Sequence, residues 1–207
     1  MAAQQIQKAI ETLRRGGLVA YPTDTVYGLG ADMRNETAVR RVFAVKQRPL
    51  NQPLPVLAAD MAMLERTTAN LSADARLLVE RFMPGALTLV LPRAAWVPGF
   101  VTAGQPTIGV RIPGHDIPRV LAAGIGVPIV GTSANLSGQP SARTAAEARR
   151  QLGDLVDYVI DGDCFGGKES TVVDMTQNPP LLLRDGPITM QNLAQVLGRK
   201  IAVPVRA

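Results

Sequence analysis

Four stretches of this 207-residue chain carry hydroxyls, amides and cations where a simple fold does not require them. Tyr21-Pro22-Thr23-Asp24-Thr25-Val26-Tyr27-Gly28-Leu29-Gly30 leaves an apolar strand and crowds hydroxyls, a carboxylate and glycines into one turn, which suits close backbone approach to a small polar ligand. Val45-Lys46-Gln47-Arg48-Pro49, followed by Gln52-Pro53-Leu54, puts two cations at the end of a helix, where they complement the helix dipole or meet an anion. Thr107-Ile108-Gly109-Val110-Arg111-Ile112-Pro113 alternates so that Thr107, Gly109 and Arg111 share one strand face opposite three apolar residues. Thr132 to Ser141 follows a very apolar strand with a run of hydroxyls and amides, and positions beyond strand ends are favoured for ligands in α/β sheets. Cations with neutral hydrogen-bonding groups suit reactions at phosphorus, which depend on positioning and charge neutralisation more than on a strong base.

Other motifs match known chemistry less well. Gly162-Asp163-Cys164-Phe165-Gly166-Gly167-Lys168 fits GxxxxGK, but Glu169 follows where a phosphate loop needs Ser or Thr, and Thr171-Val172-Val173 reads as a strand rather than a helix. A glycine-rich turn is expected there. Gly28-Leu29-Gly30 lacks the third glycine of a dinucleotide fingerprint, since Met33 stands in its place, so tight packing is expected. Ser133 in Gly131-Thr132-Ser133-Ala134-Asn135 lacks the closing glycine of a nucleophile elbow, and His115 is the one histidine available as its base. His115 itself reads as a surface residue near a helix start. Cys164 has no basic sequence neighbour to activate it, and reads as a packed or incidental thiol.

The elements that must position these residues alternate in type. Ile6, Ile10 and Leu13 mark one face of an opening helix that stops at Gly16-Gly17, and a strand follows at Leu18 to Tyr21. Val26 to Ala31 reads as the next strand, and Asn35 caps a helix through Lys46 that must end by Pro49. Strands are expected at Leu54 to Ala58, Leu87 to Leu91, Thr107 to Ile112 and Val127 to Val130, with helices at Ser72 to Phe82 and Ile117 to Ala123. Thr144 and Glu147 form a capping-box pattern before Ala148 to Leu152. Strands at Tyr158 to Ile160, Thr171 to Val173 and Leu181 to Arg184 precede a last helix, Met190 to Leu197, ending at Gly198. The architecture is mixed α/β. At roughly 150 residues per domain, with no low-complexity linker and no internal repeat, one domain over 1–207 without a C-terminal extension is expected.

Composition narrows the classes. Apolar residues make 46% and charged residues 19%, a globular balance that excludes disorder and collagen. One cysteine forms no internal disulfide, and one cysteine with one histidine builds no four-ligand zinc site, so no protein-held metal is expected. The opening residues lack the apolar core of a signal peptide, and Val120 to Val130 is broken by Gly124, Gly126 and Pro128 and is too short to span a bilayer. A cytoplasmic protein with no membrane partner is expected. The net charge of +5, carried mostly by arginine, favours anionic partners.

The four polar segments, together with Ser170-Thr171 and Arg184-Asp185-Gly186, resemble the YrdC family, the threonylcarbamoyl-AMP synthases that begin threonylcarbamoyladenosine modification of tRNA. The match runs in register over most of the chain, and Lys46, Arg48, Ser133 and Asn135 reproduce the lysine-x-arginine and Ser-x-Asn motifs of its active branch. The resemblance implies a single domain with a twisted mixed sheet flanked by helices and a large positively charged groove. It implies magnesium-dependent use of ATP, bicarbonate and L-threonine to give threonylcarbamoyl-AMP and pyrophosphate. It assigns Lys46 and Arg48 as catalytic, and Lys46, Arg48, Gln52, Thr107, Ser133, Asn135, Ser141 and Arg184 to ATP. It assigns Thr25, Arg111 and Ser170 to threonine, and the Arg111 fork suits a bidentate grip on the threonine carboxylate. Leu57 stands where many members have a histidine in the threonine pocket, and Gln52 where asparagine is common. Downstream threonylcarbamoyl-transfer proteins are the implied partners. A basic groove also suits duplex RNA or tRNA held through phosphate contacts without chemistry. A third reading is a carbamoyl-adenylate enzyme related to a domain of hydrogenase maturation proteins.

Overall fold

In the computed structural model, which describes residues 2–204, helix α1 (Ala2–Arg14) leads into β1 (Val19–Tyr21) and β2 (Gly28–Gly30). Helix α2 (Glu36–Lys46) is followed by β3 (Val56–Leu57), α3 (Met61–Thr67), α4 (Ala73–Phe82), β4 (Leu87–Pro92) and β5 (Thr107–Arg111). Helix α5 (Asp116–Ile125) then precedes β6 (Ile129–Val130), β7 (Thr132–Ser133), α6 (Ala145–Leu152), β8 (Tyr158–Val159), β9 (Thr171–Asp174), β10 (Leu181–Arg184) and α7 (Met190–Leu197).

The strands form two mixed sheets, one in the order β7-β2-β1-β8 and one in the order β10-β9-β4-β5-β3-β6. In the larger sheet antiparallel and parallel pairs alternate from edge to edge. The chain steps from the larger sheet to the smaller at Gly131, between β6 and β7, and Asp32 bridges back to Ile129 beside this step. A Cβ on Gly131 would lie 2.4 Å from Cγ of Leu57, so the crossing needs a residue without a side chain.

Sequence patterns account for most of these elements. Asn35 accepts the Ala38 N–H at 3.0 Å and starts α2. Gly28 and Gly30 do serve packing: a Cβ on either would fall 2.6 or 2.7 Å from the Tyr21 ring on the neighbouring strand. Glu147 departs from the expected capping box. Thr144 caps the Glu147 N–H, but the Glu147 carboxylate accepts from Arg143 N–H at 2.6 Å, one residue earlier. Helix α3 is unanticipated because its two turns bury only Met63, Leu64 and Thr67, too few to set a period. Thr132-Ser133, expected in a loop, is strand β7, since β2 offers it an open edge with Gly28 opposite Ser133. Among the described residues no helix is long and apolar enough to cross a membrane.

Gly30→Ala tests the glycine packing. The added methyl meets the Tyr21 ring and the Val130 carbonyl at once, so a loss of about 1–3 kcal/mol in stability is expected from the urea midpoint.

Candidate functional site

A cavity of about 600 Å³ lies between the two sheets, within the size range of small-molecule sites. Gly28, Thr132 and Ser133 line it from the smaller sheet, and Leu57, Thr88, Thr107, Gly109, Arg111 and Arg184 from the larger. Four cations, Lys46, Arg48, Arg111 and Arg184, face one carboxylate, Glu169, in its lining.

Lys46 and Arg48 reach the cavity because of how α2 ends. Gln47 is left-handed at φ 52°, its N–H donates to Ala44 O, and the Arg48 N–H donates to Phe43 O. This Schellman closure, with glutamine in the place glycine usually holds, turns the chain so that both flanking cations line the cavity. Lys46 is only 3% exposed. Its ammonium donates to Ser133 O at 2.6 Å, Asn135 Oδ1 at 2.8 Å and Asn135 O at 3.0 Å, all neutral oxygens. Burial, then the charge of Arg48, pushes its pKa down to about 8. Arg48 donates to Pro53 O at 3.0 Å, and burial together with the nearby Arg184 pulls its pKa down. Neither cation has a carboxylate within bonding distance among the described residues, whereas Arg111 and Arg184 each have one.

Arg111, 6% exposed, spends three of its five N–H donors inside the protein. Nε donates to Gly85 O at 2.8 Å, Nη1 to Thr25 Oγ1 at 3.1 Å, and Nη2 to Asp24. One N–H on each terminal nitrogen remains. Thr25 Oγ1 lies 2.9 Å from Thr23 Oγ1, which lies 2.6 Å from the Val26 carbonyl. Just before β9, Ser170 Oγ meets Thr88 Oγ1 at 2.9 Å and accepts from Arg184 Nη2 at 3.1 Å. Arg184 is also anchored by Nε on Ser170 O at 2.9 Å, while Nη1 pairs with Glu169. Burial opposes the charge on Glu169, but Arg184 and the Ser141 hydroxyl outweigh it and hold its carboxyl below the usual range.

Of the residues expected at the site, Thr25, Lys46, Arg48, Gln52, Thr107, Arg111, Ser133, Asn135, Ser170 and Arg184 line the cavity. Ser141 does not. It stands behind the wall and reaches the site through a 2.8 Å bond to Glu169. The free bidentate fork expected of Arg111 is already partly used by Asp24 and Thr25. His115 is half-buried rather than on the open surface: it caps α5 by accepting the Ile117 N–H at 3.1 Å and stacks on Phe165. Its place is outside the cavity lining, and the Ser133 hydroxyl instead donates to Asn135 Oδ1 at 2.7 Å. Burial pushes the Cys164 thiol up, away from nucleophilic use. The segment before β9 has no helix, in keeping with a glycine-rich turn. Sequence reasoning missed Glu169, Thr88, Thr23 and the structural role of Asp24. Glu169 carries a signal, adjacency to Ser170, which its misfit to a phosphate loop masks.

The fold and site together define an α/β protein with four cations and one carboxylate lining the groove between its sheets. The chain belongs to the Sua5/YciO/YrdC family, whose model, described as "Telomere recombination", matches residues 11–186. It is 41% identical over 195 residues to the threonylcarbamoyl-AMP synthase of Pyrococcus abyssi, covering 94% of this chain and 57% of that protein. It is 41% identical to the threonylcarbamoyl-AMP synthase of Idiomarina loihiensis over 79% of this chain and 89% of that one. The crystal structure of P. abyssi Sua5 complexed with L-threonine superposes with a TM-score of 0.92 at 40% identity, over 96% of this chain and 58% of that one. This chain therefore spans little more than half the length of the P. abyssi protein.

Asp24→Asn leaves the buried Arg111 charge without its counter-ion. A stability loss of about 3 kcal/mol is expected in urea denaturation, and an unchanged midpoint would mean that Arg111 draws its compensation from elsewhere.

Proposed function

We propose that the chain makes L-threonylcarbamoyl-AMP from L-threonine, bicarbonate and ATP, releasing pyrophosphate, and so begins threonylcarbamoyladenosine modification of tRNA in the cytoplasm. The observation that carries this reading is the pair Lys46 and Arg48, two cations in the cavity wall bonded only to neutral oxygens. Lys46 is buried and Arg48 half-buried, and charge withdrawn from water without a carboxylate partner is costly, so a site that keeps both awaits an anion from outside. Family membership and the likeness to proteins named threonylcarbamoyl-AMP synthase support the same reading.

The chemistry asks little of a general base. Threonine's amine and bicarbonate give a carbamate and water; a carbamate oxygen bonds to the α-phosphorus, the bond from that phosphorus to the bridging oxygen breaks, and pyrophosphate leaves with the electron pair. Lys46 and Arg48 are the catalytic cations that neutralise charge at the phosphates, and Arg184 joins them. Ser133, Asn135, Thr107 and Gln52 complete the nucleotide contacts, and Ser141 acts through Glu169. Thr25, Arg111 and Ser170 hold threonine, with the two remaining Arg111 donors meeting its carboxylate. Leu57, paired in register with Arg111, gives that pocket an apolar wall.

No cluster of three metal-ligating side chains occurs among the described residues. Magnesium carried by a triphosphate usually needs only one or two protein carboxylates. Glu169, the one carboxylate of the lining, would meet it, and the ion would supply charge neutralisation at the phosphates. The adenylate is labile and would pass to threonylcarbamoyl-transfer proteins acting on tRNA.

Incubation with magnesium, ATP, bicarbonate and labelled L-threonine should yield labelled adenylate only when all three substrates are present. Product from carbamoyl phosphate in place of threonine and bicarbonate would instead favour a carbamoyl-adenylate enzyme, and RNA binding without turnover a binding module. Lys46→Ala and Arg48→Ala should each lower turnover by about 10²–10³-fold with circular dichroism unchanged; full activity in both would remove their assignment.

The Lys46 ammonium, charged below its pKa of about 8 and neutral above it, should give kcat/KM an alkaline limb near that pH. Its protonated form opposes folding, because the unfolded chain holds the proton more tightly. That penalty is full below pH 8 and is relieved as pH rises toward the ordinary lysine value. A flat profile through pH 9 would show that the charge is not used in the reaction.

A further inference from the structure

Arg184, assigned to the nucleotide phosphates, is already bonded to Glu169, as is Ser141, which reaches the site only through that carboxylate. The carboxylate is partly exposed to the cavity, with a side-chain exposure of 34%. Its charge partly offsets the lowering of the Lys46 and Arg48 pKa values, so it is felt by every cation at that end of the groove. The neighbouring pair Lys168 and Asp185 bridges the same two segments at 2.7 Å, and Arg184 Nε holds Ser170 O. Arg184 keeps two anchors, Ser170 O and Oγ, without the Glu169 carboxylate, so its position does not depend on that contact.

We propose that Glu169 is an internal stand-in for nucleotide phosphate, which neutralises Arg184 in the empty groove and must yield that contact when a triphosphate enters. The inference rests on the nucleotide reading above. A carboxylate left beside an incoming polyphosphate repels it, and a divalent cation between the two removes the repulsion. Glu169 thereby makes the groove favour the metal-bound triphosphate over the free one. The exchange is a change of hydrogen-bonding partner, with no bond made or broken.

The test is equilibrium binding of ATP to the purified chain, by calorimetry, in excess chelator and in excess magnesium. Wild type should bind free ATP much more weakly than magnesium-ATP. Glu169→Gln keeps the shape and removes the charge, and should bind free ATP at least about tenfold tighter than wild type, narrowing the difference between the two conditions. Glu169→Asp, which keeps the charge, should not show this gain. Glu169→Ala serves the same purpose as the glutamine variant if that variant does not fold, and thermal melts establish that each protein is folded at the assay temperature. Wild type that binds ATP, with no gain in the uncharged variants, would overturn the stand-in role alone. Failure of every protein to bind ATP in either condition would overturn the nucleotide reading and this inference with it.

Discussion

An ammonium group enclosed by neutral oxygens organises this site. Lys46 sits at the last turn of α2, yet its three close acceptors belong to Ser133 and Asn135, about ninety residues away in sequence. The bonds tie the end of a helix to the strand and loop that begin just after the chain changes sheets. Ser137 N–H donates back to Lys46 O at 2.9 Å, and Asn135 Nδ2 holds Gln139 O, so the loop is fixed from both ends. Burying a charge this deeply with only dipoles to satisfy it lowers its pKa, and the fold sustains that cost at one point on the cavity wall.

The other charges follow a different rule. Arg111 is neutralised by Asp24, and Arg184 by Glu169, so the groove has a compensated half and an uncompensated one. The division follows the two sheets' contributions. The compensated arginines stand on β5 and β10 of the larger sheet, while Lys46 and Arg48 come from the helix end that Lys46 bonds to the smaller sheet's β7. A ligand lying across the seam therefore meets paired charge on one side and unpaired charge on the other.

Much of this was legible in the sequence because local rules decide it. The Asn35 cap of α2, the Gly198 stop of α7, the glycine stop after α1 and the alternating face of β5 all arise within a few residues, and each appears where its pattern puts it. The site's membership was legible too, since Thr107, Gly109 and Arg111 line the cavity together. What stayed hidden depends on distant partners. Strand β7 forms because β2 presents an edge to it, and Ser141 is drawn from the cavity by Glu169, a residue 28 positions away. Asp24 looked like one more polar residue of a turn. Only the strand bringing Arg111 beside it turns it into a buried counter-ion.

The hydroxyl chain at the turn has a direction. Val26 O carries no proton, so at 2.6 Å the Thr23 hydroxyl must give it one. Thr23 then has none left for its neighbour, and the contact at 2.9 Å requires Thr25 to be the giver. Arg111 Nη1 uses one lone pair of that same Thr25 oxygen. What Thr25 turns toward the cavity is thus a single remaining lone pair, and a group that meets it must bring its own proton. An amino acid has an end that can do so and an end that cannot, and this order of protons is enough to tell the two apart.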